Sequence, residues 1–366
     1  MIRIGLIINP IAGMGGRVGL KGTDGLAEKA KALGGSALAP EKTARALAGL
    51  AGIKGVCILT PPGKMGEDAA NGAGLDTRVL DMPLQETTTG EDTRAAAALL
   101  LDKKIDLLLF AGGDGTARDI CSAVGEALPV LGIPAGVKIH SPVFSRTPEA
   151  AGFLVRDFIQ GGLKDFRLGE VLDIAEASYR QGRVKTKLYG YLKVPLAGRV
   201  QARKSGTPMG EAGAQNLIGL DFIDAMEKDT IYMIGPGTTT RPVMTNLHLD
   251  HTLLGVDLVQ NRSLLVKDAS EKEIFNIIKD AKIKIFITPI GGQGYLFGRG
   301  NHQISPRIIR QAGKENICVG ATLQKIALLR GQPFFVDTGD LSTDQMLAGY
   351  IRVITGVRQE MIYPVA

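Results

Sequence analysis

Gly112-Gly113-Asp114-Gly115-Thr116 sets one carboxylate and one hydroxyl among three glycines. Glycine lets the backbone turn sharply and lets a ligand approach it closely. The Asp114 carboxylate could hold a metal ion or take a proton from a hydroxyl. The run follows the apolar segment Ile105–Phe110 and precedes a helical pattern, Thr116–Val124. A buried strand thus leads into a glycine turn, and the unpaired N–H groups at the start of the next helix suit an anion. Together these parts suit phosphoryl transfer between nucleotides.

A second glycine turn, Asn9-Pro10-Ile11-Ala12-Gly13-Met14-Gly15-Gly16, follows the strand-like segment Ile2–Ile8. Successive glycine N–H groups can cradle phosphate, which makes Asn9 and Gly13 candidate nucleotide contacts. The turn is not a dinucleotide fingerprint, since Val18 stands where the third glycine belongs, and no GK[ST] follows to make a P-loop. A third turn, Gly235-Pro236-Gly237-Thr238-Thr239-Thr240, follows Ile231–Ile234 and offers three hydroxyls to phosphate oxygens. A fourth, Thr288–Gly294, is as compatible with a structural turn as with a ligand contact. His248 and His251 lack further nearby His or Cys ligands, so a surface or capping role is expected for them.

The GGDGT run and the Asn9–Gly16 opening resemble signatures of the NAD kinase superfamily, which also includes diacylglycerol and sphingosine kinases and, more remotely, phosphofructokinases. Ile133–Ser141, Leu188–Leu192 and Thr288–Gly294 narrow the resemblance to the ATP-NAD kinase/AcoX-like branch, and the similar stretches span Asn9 to about Gly294. The resemblance implies Asp114 as the catalytic aspartate and Gly112, Gly113, Gly115 and Thr116 as nucleotide phosphate contacts. It makes Gly237, Thr238 and Thr239 a degenerate counterpart of a Gly-Ser-Thr element in the second domain. It implies ATP, or polyphosphate, as phosphoryl donor with Mg²⁺ or another divalent cation, and NAD as acceptor through its adenosine ribose 2′-hydroxyl, giving NADP. It also implies a homo-oligomer. One departure stands out. NAD kinases carry an Asn-Glu pair after GGDGT that holds the dinucleotide ribose, whereas Lys138 and His140 occupy that region here. A kinase of another small alcohol or lipid head group therefore stays open, as does a non-catalytic nucleotide-binding regulator.

These residues need strands and helices to position them. Up to about residue 135, strand-like runs (Ile2–Ile8, Gly55–Leu59, Thr77–Leu80, Asp106–Phe110, Val130–Ile133) alternate with helical ones (Asp24–Leu33, Lys42–Leu50, Glu91–Leu101, Thr116–Val124). Such alternation predicts an α/β fold: a parallel, Rossmann-like sheet covered by helices, with ligands beyond the carboxyl ends of the strands. Thr88 and Glu91 are spaced as a capping box. Residues 1–147 are expected to form this nucleotide-binding domain. From Pro148 a helix leads into alternating segments at Phe166–Ile174, Val184–Val194, Thr230–Ile234, Leu253–Val259 and Ser263–Val266, which predict a strand-rich second domain over 148–315. A Gly-, Arg- and Lys-rich loop is expected over 195–213. The segment 316–366, with patterns at Ala321–Leu329, Phe334–Val336 and Thr343–Val353, is expected from the resemblance to return to the first domain. The acceptor is expected between the domains.

Composition limits the remaining classes. The 366 residues are 45% apolar and 22% charged, ordinary for a soluble globular chain. The excess of basic residues, +6, is mild and comes without basic blocks or interleaved aromatics, so no nucleic acid is expected. No apolar run approaches the roughly 18 residues that span a membrane, and the N-terminus reads as a strand rather than a signal segment. Cys57, Cys121 and Cys318 are three scattered cysteines that form no disulfide framework. A cytoplasmic protein is expected.

Overall fold

Ile2–Ile8 forms strand β1, and its last five residues are buried. A strand apolar on both faces belongs in the middle of a parallel sheet with helices on both sides. Four more strands join it: β2 (Val56–Thr60), β3 (Thr77–Val79), β4 (Leu107–Gly112) and β5 (Val130–Pro134). They pair in the order β3-β2-β1-β4-β5, every pair parallel. Ile4, Leu6, Ile8, Leu107 and Leu109 bury one face, while Ile7, Leu108 and Phe110 bury the other. The strand order reverses between β1 and β4, which is where open α/β sheets hold their ligands.

This computed structural model describes residues 1–20, 26–84, 87–136, 139–174, 186–197, 200, 211–252 and 254–366. Two units divide the chain: Met1–Met14, Gly22–Lys31 and Ser36–Arg203 form the first, and Gly15–Lys21, Ala32–Gly35 and Lys204–Ala366 the second. The parallel α/β sheet of the first unit and the strand-rich sheet of the second match the expected fold class. The boundary differs from the expected break at 147/148. Strands β6 (Phe166–Ile174) and β7 (Thr186–Pro195) pair antiparallel with each other and stay with the first unit. Their Val171, Leu192 and Val194 share a buried cluster with Phe110 and Ile120, so apolar burial holds them there.

In the second unit, β8 (Thr230–Ile234), β9 (Asp257–Gln260), β10 (Ser263–Val266), β11 (Lys282–Ile287), β13 (Ile317–Gly320), β15 (Gly349–Gly356) and β16 (Gln359–Val365) form one mixed sheet. Its order is β10-β9-β8-β11-β13-β15-β16. A separate parallel pair joins β12 (Tyr295–Phe297) to β14 (Phe335–Val336). The tail after Asn316 thus supplies three strands to the second sheet, rather than a segment of the first unit. Its Val319, Ile351, Val353 and Val365 complete the core begun by Met233, Ile285 and Phe297.

Local differences have local causes. The single segment expected over Thr343–Val353 is a helix, Leu341–Leu347, followed by β15. Asp340 starts that helix by accepting the Thr343 N–H, and Gly349 at φ +100° redirects the chain after it. The capping box lies one residue beyond the expected pair, at Thr89 and Asp92. Lys138 and most of the loop expected over 195–213 fall outside the described residues.

Candidate functional site

The ends of β1 and β4 bring the first two glycine turns side by side. The Asn9 N–H donates to Ala111 O at 2.9 Å, extending the β1–β4 ladder into the turn. Asn9 Nδ2 then donates to Thr116 Oγ1 at 3.1 Å, while Asn9 Oδ1 accepts the Ile11 N–H at 3.2 Å. One asparagine therefore ties both turns together across 107 residues of sequence. Gly13 adopts φ +83°, and a Cβ there would meet Ala135 O at 2.5 Å, so only glycine fits this close approach. At Gly112 an added Cβ would meet Thr116 Oγ1 at 2.3 Å. Gly113 stands before the helix Asp114–Val124, whose first N–H groups have no carbonyl one turn back.

Asp114, the first residue of that helix, is buried at 5% exposure. The loop after β5 closes on it, because Gly113 and Gly136 meet backbone to backbone: a Cβ on Gly136 would lie 2.6 Å from Gly113 Cα. That approach delivers His140 and Ser141. Asp114 Oδ2 accepts the His140 N–H at 2.7 Å and lies 3.0 Å from His140 Nδ1. Asp114 Oδ1 accepts the Ser141 N–H at 3.1 Å and the Ser141 hydroxyl at 2.6 Å. Ser141 Oγ in turn accepts the Leu172 N–H at 2.9 Å, which anchors the loop to β6. A buried carboxylate needs such donors, and four contacts satisfy it. His140 Nε2, by contrast, is buried with no hydrogen-bond partner. Sequence reasoning put His140 near the site through the departure from the Asn-Glu pair; it did not find Ser141.

The third turn belongs to the second unit. Gly237 adopts φ +143°, and a Cβ there would meet Thr288 Cγ2 at 2.4 Å, so the Gly237 and Thr288 turns touch. Thr240 points inward, its hydroxyl donating to Gly235 O at 2.6 Å. Lys325, buried at 9% exposure, donates to Thr239 Oγ1 at 3.1 Å and to Thr288 Oγ1 at 2.8 Å. Gln215 reaches Thr238 Oγ1 at 3.4 Å, and Glu211 accepts the Thr322 hydroxyl at 2.6 Å. Lys325, Gln215, Glu211 and Thr322 are functional candidates that sequence reading missed. A lysine inside the apolar helical pattern Ala321–Leu329 is the signal that could have flagged Lys325.

The Asn9–Gly16 run is shared between units, with residues through Met14 in the first and Gly15 onward in the second. A Cβ on Gly16 would meet the His302 ring at 3.0 Å. Among the described residues no group of three or more His, Cys, Asp or Glu could hold a metal ion, and no helix is long and apolar enough to cross a membrane.

Two family models match this chain. The ATP-NAD kinase N-terminal domain covers residues 4–163 and the ATP-NAD kinase C-terminal domain covers residues 227–365. No curated protein matches. A solved structure described as an S. aureus MnaA-UDP co-structure is 10% identical over 88% of this chain and 79% of that chain. Its TM-score of 0.25 is too low to carry an argument. The two domain models, in this order, account for most of the chain, which belongs to the NAD kinase superfamily and is a kinase-type phosphotransferase.

Proposed function

We propose that this protein transfers a phosphoryl group from ATP, or from polyphosphate, to the 2′-hydroxyl of the adenosine ribose of NAD, giving NADP. The observation that carries the reading is the match to both ATP-NAD kinase domain models, one after the other. The geometry supports it. Gly112, Gly113, Gly115, Thr116, Asn9 and Gly13 contact nucleotide phosphates at the switch point of the parallel sheet, with the helix Asp114–Val124 presenting its N–H groups. In the second unit Gly237, Thr238 and Thr239 contact nucleotide, and Lys325 supplies a positive charge beside them. Asp114 sits at the acceptor hydroxyl. The donor enters as its Mg²⁺ complex, in which the cation spreads the charge developing on the phosphates.

A second reading, a kinase of another small alcohol or lipid head group, is favoured by one observation: Lys138 and His140 stand in the region where NAD kinases carry the ribose-holding Asn-Glu pair, and His140 contacts Asp114 instead. Incubation with NAD and either ATP or polyphosphate, followed by mass spectrometry, separates the two. The first reading expects NADP carrying the phosphate on the adenosine ribose. ADP release without NADP, under conditions where a control NAD kinase makes it, would move the assignment to another alcohol.

A further inference from the structure

We propose that the second unit holds a phosphate site of its own at the carboxyl ends of β8 and β11, with Lys325 and Thr288 as its donors. This rests on the nucleotide-binding reading above only for the kind of ligand, and not on the identity of the acceptor. β8, β11, β13 and β15 run parallel, with β9 on the other side of β8. The strand order therefore reverses between β8 and β11, a second switch point of the kind where parallel sheets hold ligands. Three successive strand ends each send one polar group there: Thr239 after β8, Thr288 after β11 and Lys325 after β13. The Lys325 ammonium joins the other two, at 3.1 Å from Thr239 Oγ1 and 2.8 Å from Thr288 Oγ1.

The direction of these bonds decides what the cluster can bind. A hydroxyl that accepts from an ammonium keeps its own hydrogen to donate. Among the described residues nothing accepts that hydrogen from Thr239 or Thr288. Thr240 differs, because its hydroxyl is spent on Gly235 O at 2.6 Å. Glu211, the nearby carboxylate, is engaged by the Thr322 hydroxyl at 2.6 Å. An ammonium and hydroxyl hydrogens in one place suit the oxygens of an anion, and lysine is a compact point charge for phosphate. Thr239 is fully buried and holds Lys325 from the inner side, while Thr288 and Lys325 keep 8% and 9% of their surface exposed. Above them the turns are half-buried at Gly237, Thr238, Gly291 and Gly292, and glycine lets a ligand come close to the backbone.

The test uses the full-length protein with inorganic phosphate as probe. Titration calorimetry should show phosphate binding that AMP displaces and adenosine does not. Lys325→Met should weaken phosphate binding at this site roughly 10–100-fold, as expected for one charge-assisted hydrogen bond. Thr288→Val keeps the branched shape that touches Gly237 and removes only the hydroxyl, so it should weaken binding by a smaller factor. Crystals soaked in tungstate, an oxyanion located by anomalous scattering, should show the ion within hydrogen-bond reach of Lys325 Nζ. A phosphate bound at the Gly112–Thr116 turn would remain in both variants. Phosphate binding unchanged in both variants, or tungstate absent from Lys325, would overturn the proposal; should Lys325→Met fail to fold, Thr288→Val and the soak decide it. If phosphate binds at Lys325 and no NADP is formed from NAD, the NAD reading fails and this site stands. If NADP is formed while Lys325→Met binds phosphate as wild type does, the site falls and the NAD reading stands.

Discussion

At the residue scale, the glycines of the GGDGT turn are demanded by what touches them. Gly112 leaves room for the Thr116 side chain, and Gly113 leaves room for Gly136. Gly112→Ala should destabilise the fold by about 1–3 kcal/mol through overpacking, read as a lower midpoint in denaturant. In a Thr116→Gly background the same change should cost markedly less, because its partner is gone. Equal costs in both backgrounds would mean that the crowding is not the cause. Asp114 matters through charge as well as shape. Asp114→Asn keeps the shape but turns one acceptor oxygen into a donor facing the donors of His140 and Ser141. Turnover should fall by about 10²–10⁴ while calorimetry shows nucleotide binding largely retained. Near wild-type turnover would remove Asp114 from the reaction.

At the element scale, charges lock neighbouring strands. Glu227 lies just before β8, and its carboxylate bonds Lys282 and Lys284 on β11, the parallel neighbour of β8. The hydrogen bonds from Lys282 and then Lys284 hold its pKa at about 2, below the ordinary glutamate value. A carboxylate depressed in the folded state adds stability above its unfolded pKa and loses it as pH falls toward the folded value. The contribution should therefore be complete above about pH 4.5 and fade toward pH 2. The group is exposed, so the effect is small and salt-screened. Glu227→Gln should lower the melting temperature slightly at neutral pH in low salt, and the gap should close in molar salt and at low pH. A gap that persists in both conditions would point to packing instead of charge.

At the scale of the whole molecule, nucleotide binding should register as stability. A ligand at a hundred times its Kd stabilises the state that binds it by about 2.7 kcal/mol. Saturating ATP–Mg²⁺ or NAD should therefore raise the calorimetric transition of the unit that holds it. Lys325→Met removes the charge beside Thr239 and Thr288 while keeping most of the apolar stem. A charged hydrogen bond worth about 1.5–3 kcal/mol corresponds to roughly 10–100-fold in affinity. The variant should melt close to wild type without ligand, yet lose most of the nucleotide-induced shift. An undiminished shift would separate Lys325 from nucleotide binding.

Local order made much of the first unit legible in sequence. A strand apolar on both faces, a glycine turn and an amphipathic helix each declare themselves within about ten residues, so β1, β4 and the helix from Asp114 were readable. The helix Ala212–Asp224 was not, because Leu217, Ile218, Leu220, Phe222 and Ile223 surround its axis instead of forming a stripe. Only the tertiary structure decided which sheet the tail joins, because pairing partners are set by burial between distant segments. Only it showed that Lys325 meets Thr239 across 86 residues, or that Asp114 lies under His140 and Ser141. Sequence spacing encodes neighbours along a helix or strand; the four contacts that occupy the Asp114 carboxylate exist only once the Gly113 and Gly136 backbones meet.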